Sequence, residues 1–132
     1  MKITHLDPPT LYKNPAFSQA VMVEGSARLL FIGGQNGVNM RGEMRGNDLA
    51  SQTEQAMRNV LSVLEAAGAS VEQVVKLTIY VVQGNPLEQA YVAAQKIWGD
   101  HPTAISVAIV VGLAHPDAVV EIEAVAALEP AA

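Results

Sequence analysis

Val74-Val75-Lys76-Leu77-Thr78-Ile79-Tyr80-Val81-Val82 alternates with a period of two, the spacing of a β-strand. Val75, Leu77, Ile79 and Val81 are assigned to one face, and Lys76, Thr78 and Tyr80 to the other. A helical pattern lies on each side of this strand. Upstream, Leu49, Ala56, Met57, Val60, Leu61 and Leu64 recur at spacings of three, four and seven. Asn47-Asp48 supplies an N-cap and Gly68 a stop. Downstream, Pro86 opens a second helix whose apolar stripe is Leu87, Tyr91, Ala94 and Trp98, and Gly99 ends it. Further strands are predicted over residues 17–23, 29–32, 105–111 and 118–127. The order is two or three strands, helix, strand, helix, two strands. That is an α+β layout with two helices on one face of a mixed sheet. The strand over 105–111 is apolar on both faces, so the second sheet face is expected to meet another subunit.

The chain has 132 residues, the size of one domain, expected over residues 1–132. Half of its residues are hydrophobic and 16% are charged, which excludes intrinsic disorder. Eight basic against thirteen acidic residues give a net charge of −5. A sequence-independent nucleic-acid binder or a protein held on an anionic bilayer needs the opposite sign, so neither partner is expected. With no cysteine, disulfides, thiol catalysis and thiolate metal sites are excluded. Met1-Lys2-Ile3-Thr4-His5 carries no apolar signal core, and no run approaches the ~20 residues of a membrane helix. A cytoplasmic location is expected.

Few residues point to chemistry. Glu121 and Glu123 are two apart on a predicted strand and share a face. Two solvated carboxylates on a polar face are the ordinary reading. In a subunit interface, desolvation would raise one of them into the range of a general acid or base. Gly33-Gly34-Gln35 ends a strand, either to let a ligand approach the backbone or to supply unusual backbone angles. His5, His101 and His115 lack metal-ligand spacing, so no metal is expected. Ser18 and Ser106 have no nearby histidine or nucleophile elbow. Arg41 and Arg45, in a Gly-rich loop, are either solubility charges or arms that close on an anion.

Taken together, several motifs resemble the RidA family, also called YjgF, the reactive-intermediate deaminases. They are Phe17-Ser18-Gln19-Ala20, Gly33-Gly34-Gln35, Gln52-x-x-Gln55-x-x-x-Asn59, Ala66-Ala67-Gly68, Val74-Val75-Lys76-x-Thr78 and Val120-Glu121-Ile122-Glu123-Ala124-Val125-Ala126. The resemblance spans nearly the whole chain in the same order. It implies a chorismate-mutase-like α+β fold and a homotrimer with a central barrel. It also implies small-molecule clefts between subunits, where enamines and imines are hydrolysed to keto acids and ammonia without a metal or organic cofactor.

Carried over residue by residue, Glu121 matches the glutamate that helps hold the attacking water and is the candidate catalytic residue. The candidate substrate-binding residues are Phe17, Gly33, Gly34, Tyr91, Ala104 and Ser106. Four of these depart from the family pattern. Ala104 stands where an arginine clasps the substrate carboxylate, Phe17 where a tyrosine is usual, Gly33 where a serine is usual, and Tyr91 where an asparagine is frequent. An arginine–carboxylate contact contributes ~1.5–3 kcal/mol. Its absence argues against a simple 2-imino acid and for a neutral or cationic ligand. Two classes follow: a deaminase for another enamine or imine, and a non-catalytic metabolite-binding trimer. Endoribonuclease activity, described for some family members, fits a net charge of −5 worst.

Overall fold

The computed structural model describes residues 1–131. In chain order it contains β1 (Lys2–Leu6), β2 (Ala20–Glu24), β3 (Arg28–Gln35), α1 (Leu49–Ala66), a 3-10 turn (Val71–Gln73), β4 (Val74–Val82), α2 (Leu87–Trp98), β5 (Ala104–Val110) and β6 (Val120–Leu128). β1 and β2 form an antiparallel pair. The other four strands form a mixed sheet in the order β3-β6-β4-β5, with β4 and β5 parallel and the remaining pairs antiparallel. This is the expected α+β layout. The sequence pattern missed β1 and set the second strand too early, because residues 17–19 precede the ladder.

α1 begins where its cap chemistry puts it: Asp48 accepts a 2.9 Å hydrogen bond from the Ser51 amide. It ends at Ala66, and Gly68, at φ +72°, turns the chain out of the helix. Its apolar stripe, Leu49, Ala56, Met57, Val60 and Leu64, is buried against Ile32, Leu77, Ile122, Ala124 and Ala126 of the sheet. Along β6, Val120, Ile122, Ala124 and Ala126 face this core, while Glu121, Glu123 and Val125 lie on the opposite, open face.

Two features depart from simple periodicity. Val74, not Val75, is buried in the core, because the β4–β6 register slips by one residue between Val74 and Lys76. On α2, packing runs through Ala90, Ala93 and Trp98, whereas Leu87 and Tyr91 stay 41% and 57% exposed. α2 therefore covers β4 and β5 incompletely. Val107 and Ile109 of β5 remain exposed, and a cleft opens beneath the helix. No helix among the described residues is long and apolar enough to cross a membrane.

Candidate functional site

Glu121 stands on the open face of β6, directly opposite Tyr80 of β4. Its near neighbour is Gly34. The β3–β6 register slips between Ile32 and Gln35, so Gly33 and Gly34 sit in a bulge beside the Glu121 carboxylate. Neither glycine has a positive φ. What position 34 requires is space: a Cβ there would meet Glu121 Oε2 at 2.5 Å, whereas a Cβ at Gly33 would meet nothing within 4 Å. Unusual backbone angles are not what this motif supplies; the group that approaches Gly34 is the protein's own Glu121 side chain.

The same open face carries a polar ladder. Tyr80 donates its phenol hydrogen to Glu123 Oε1 at 2.7 Å. That hydrogen bond, with desolvation and the Glu123 and Glu121 charges acting in the same sense, raises the Tyr80 phenol above its usual value. Lys76 Nζ lies 2.6 Å from Ser106 Oγ, and Ala104 pairs in register with Lys76. Ser106 and Ala104 therefore share the open face with Glu121.

These groups do not converge. Glu121 is level with Tyr80 and Ala104 with Lys76, four residues earlier on β4, and β6 and β5 flank β4 on opposite sides. The offset is roughly 13 Å along the strands and roughly 10 Å across them. Phe17 and Tyr91 lie elsewhere again, lining the cleft of about 350 Å³ between α2 and the β4–β5 surface. Phe17 is tied to the start of β5 through Ser18, which bridges to Ala104 and donates its amide to the Thr103 carbonyl at 2.9 Å. Within one chain the candidate residues thus fall in three places: Gly34 with Glu121, then Ala104 with Ser106 farther along the same open face, and Phe17 with Tyr91 in the cleft on the helix-covered face.

The fold brings together partners that the sequence did not. His5 Nδ1 lies 2.8 Å from Ser18 Oγ, although the sequence offered no histidine near that serine. Ser18 is buried and the pair fastens the β1–β2 unit to the start of β5, so it serves as a strap. The Gln52-x-x-Gln55-x-x-x-Asn59 motif is also structural. Gln52 is fully buried; its amide donates to the Gly46 and Asp117 carbonyls at 3.1 and 3.0 Å and accepts from the Val119 amide at 2.8 Å. Asn59 donates to the Asn36 and Val38 carbonyls at 3.1 and 2.9 Å. Together these side chains hold the Gly-rich loop and the entry to β6, and so set the position of Glu121. Arg45 is turned to Glu54 at 3.6 Å, which also meets Arg58 at 3.2 Å and Lys96 at 3.7 Å. The Arg58 hydrogen bond, then the Lys96 and Arg45 charges, hold Glu54 below the usual carboxylate range. Arg41 is exposed. Among the described residues no three His, Asp or Glu side chains cluster as a metal site requires.

The family described as Endoribonuclease L-PSP matches residues 10–128. A RutC family protein of Pyrococcus horikoshii is 33% identical over 111 residues, covering 83% of this chain and 85% of its own. A human protein named 2-iminobutanoate/2-iminopropanoate deaminase is 34% identical over 70 residues, about half of each chain. Among solved structures, the Rid-family protein YyfB of Yersinia pestis is 38% identical and superposes with a TM-score of 0.85, over 97% of this chain and all of its own. These matches show that the chain belongs to the Endoribonuclease L-PSP family, the group also called YjgF, RidA and RutC.

Proposed function

We propose that the protein hydrolyses an enamine or imine in a cleft shared by two copies of a homotrimer whose open sheet faces line a central barrel. The carrying observation is the separation of the candidate residues within one chain. Glu121 and Gly34 stand too far from Ala104 and Phe17 for one small substrate to touch both within a chain. A neighbouring copy that sets its Gly34–Glu121 edge against the β5 entrance brings them together. The deaminase names borne by relatives support the reaction class.

The chemistry asks little of the protein beyond positioning. Water held by Glu121 adds to the electrophilic carbon of the C=N bond. The proton it releases passes by way of the carboxylate to nitrogen. The carbinolamine then passes its hydroxyl proton, again by way of the carboxylate, to the amino nitrogen, its C–N bond breaks, ammonia leaves and a carbonyl remains. One imine and one water give one carbonyl compound and one ammonia, with no change in oxidation state.

Ala104 carries no guanidinium, the Lys76 ammonium beside it is engaged with Ser106 Oγ at 2.6 Å, and Phe17 and Tyr91 make the separate cleft under α2 apolar. The preferred imine therefore lacks a carboxylate. The same absence favours a second reading, a trimer that binds such a molecule without turnover. The deciding assay generates imines in place, from amino acids with an amino-acid oxidase and from amines with an amine oxidase, and follows their decay. Faster decay of the amine-derived imines, lost in Glu121→Ala, supports the enzyme. An inert wild type, with Ala104→Arg gaining activity on the 2-imino acids, supports the binder. Light scattering at 13.9 kDa rather than three times that mass would remove the shared cleft from both readings.

A further inference from the structure

The cleft under α2 is more than a gap in helix packing. Its walls are Met57 of α1, Leu77 and Val81 of β4, Ala94 and Trp98 of α2 and Ile105 of β5. About 350 Å³ lies within the range of small-molecule sites, which are apolar with one or two fixed polar groups. Thr53 of α1 supplies such a group. The residue is 1% exposed, it lines the cleft, and its hydroxyl has no hydrogen-bond partner. A buried hydroxyl without a partner is costly, and native proteins rarely leave one.

We propose that this cleft binds a neutral, largely apolar small molecule with one terminal hydrogen-bonding group, and that the Thr53 hydroxyl is the group that recognises it. Phe17 and Tyr91, two of the candidate substrate-binding residues, line the same cleft. The apolar body is then the substituent carried by the imine or enamine, a statement that rests on the function proposed above. Thr53 acts as a specificity residue, since a pocket that hydrogen-bonds a polar end rejects the analogue that lacks it.

Trp98 is the only tryptophan in the chain and lines the cleft, so its fluorescence reports occupancy. Cyclohexylmethanol and methylcyclohexane are a matched pair of probes, titrated into the intact protein. The alcohol is expected to shift Trp98 emission at lower concentration than the hydrocarbon. Thr53→Val should weaken the alcohol roughly fivefold and leave the hydrocarbon unchanged, while Thr53→Ser keeps the preference. Ala94→Leu, which fills the cleft, should abolish both signals. If neither probe shifts Trp98, or if Thr53→Val binds the alcohol as wild type does, the proposal is overturned. A cleft filled by a second copy gives the first of those results. Hydrolysis of the imine made from cyclohexylmethylamine is measured alongside. Binding without hydrolysis upholds the cleft and removes the enzyme reading. Hydrolysis without binding does the reverse.

Discussion

Gly34 lies against the carboxylate of Glu121, with no room between them for a methyl group. A Cβ at residue 34 would stand 2.5 Å from Oε2 and 2.6 Å from Cδ. The obstructed atoms are the end of a flexible side chain, so Gly34→Ala is expected to fold and to push the carboxylate aside. Displacing a catalytic group by about 1 Å costs about a hundredfold in rate. Thermal melting and imine hydrolysis, measured together, test this. Gly33→Ser enters open space and should melt as wild type does. An unchanged rate in Gly34→Ala would mean that the present position of Glu121 is not the working one.

Gln52 ties three backbone groups from two loops and is fully buried. Gln52→Leu keeps the approximate volume and strands two carbonyls and one amide. The expected loss is about 3 kcal/mol in urea denaturation. A loss below 1 kcal/mol would show that the loops are held by other contacts.

Thr53 gives the opposite sign. Thr53→Val preserves shape and removes a buried hydroxyl that has no partner. In the absence of ligand the variant should be more stable by about 1 kcal/mol. Destabilisation would reveal a partner for the hydroxyl in the free protein.

The Tyr80–Glu123 pair predicts an alkaline effect. Folding raises the Tyr80 phenol, chiefly through the hydrogen bond to Glu123. The neutral phenol is thus favoured in the folded state. Its contribution to stability is complete below the unfolded value of about 10 and is lost as pH rises through the higher folded value. In a Tyr12→Phe, Tyr91→Phe background, absorbance reads Tyr80 alone. Glu123→Gln should lower its titration midpoint, and an unmoved midpoint would assign the shift to another cause.

Local periodicity made the helices and central strands legible. β4 spans the stretch that alternation marks, and α1 runs between the Asp48 cap and Gly68. Features that depend on distant residues were not legible. β1 is five residues long and pairs with a strand fourteen or more positions away, so nothing local marks it. The slip at Val75 follows from β6 register. The exposure of Leu87 and Tyr91 follows from how α2 seats on the sheet, which its own stripe does not encode. At the candidate site, residue types located Glu121 and its glycines. The separation of Glu121 from Ala104 appeared only when β5 and β6 took their places on either side of β4.

The four-stranded sheet ends in β3 on one side and β5 on the other. Leu29 and Phe31 of β3 are 57% and 72% exposed, and Val107 and Ile109 of β5 are also bare. Borders of this kind recruit any strand that meets them, including the wrong one. If the trimer proposed above is the working form, a newly made chain is in a race between correct assembly and aggregation. Its lifetime as a separate molecule, and hence its yield at low expression or high dilution, is governed by how quickly those borders are covered.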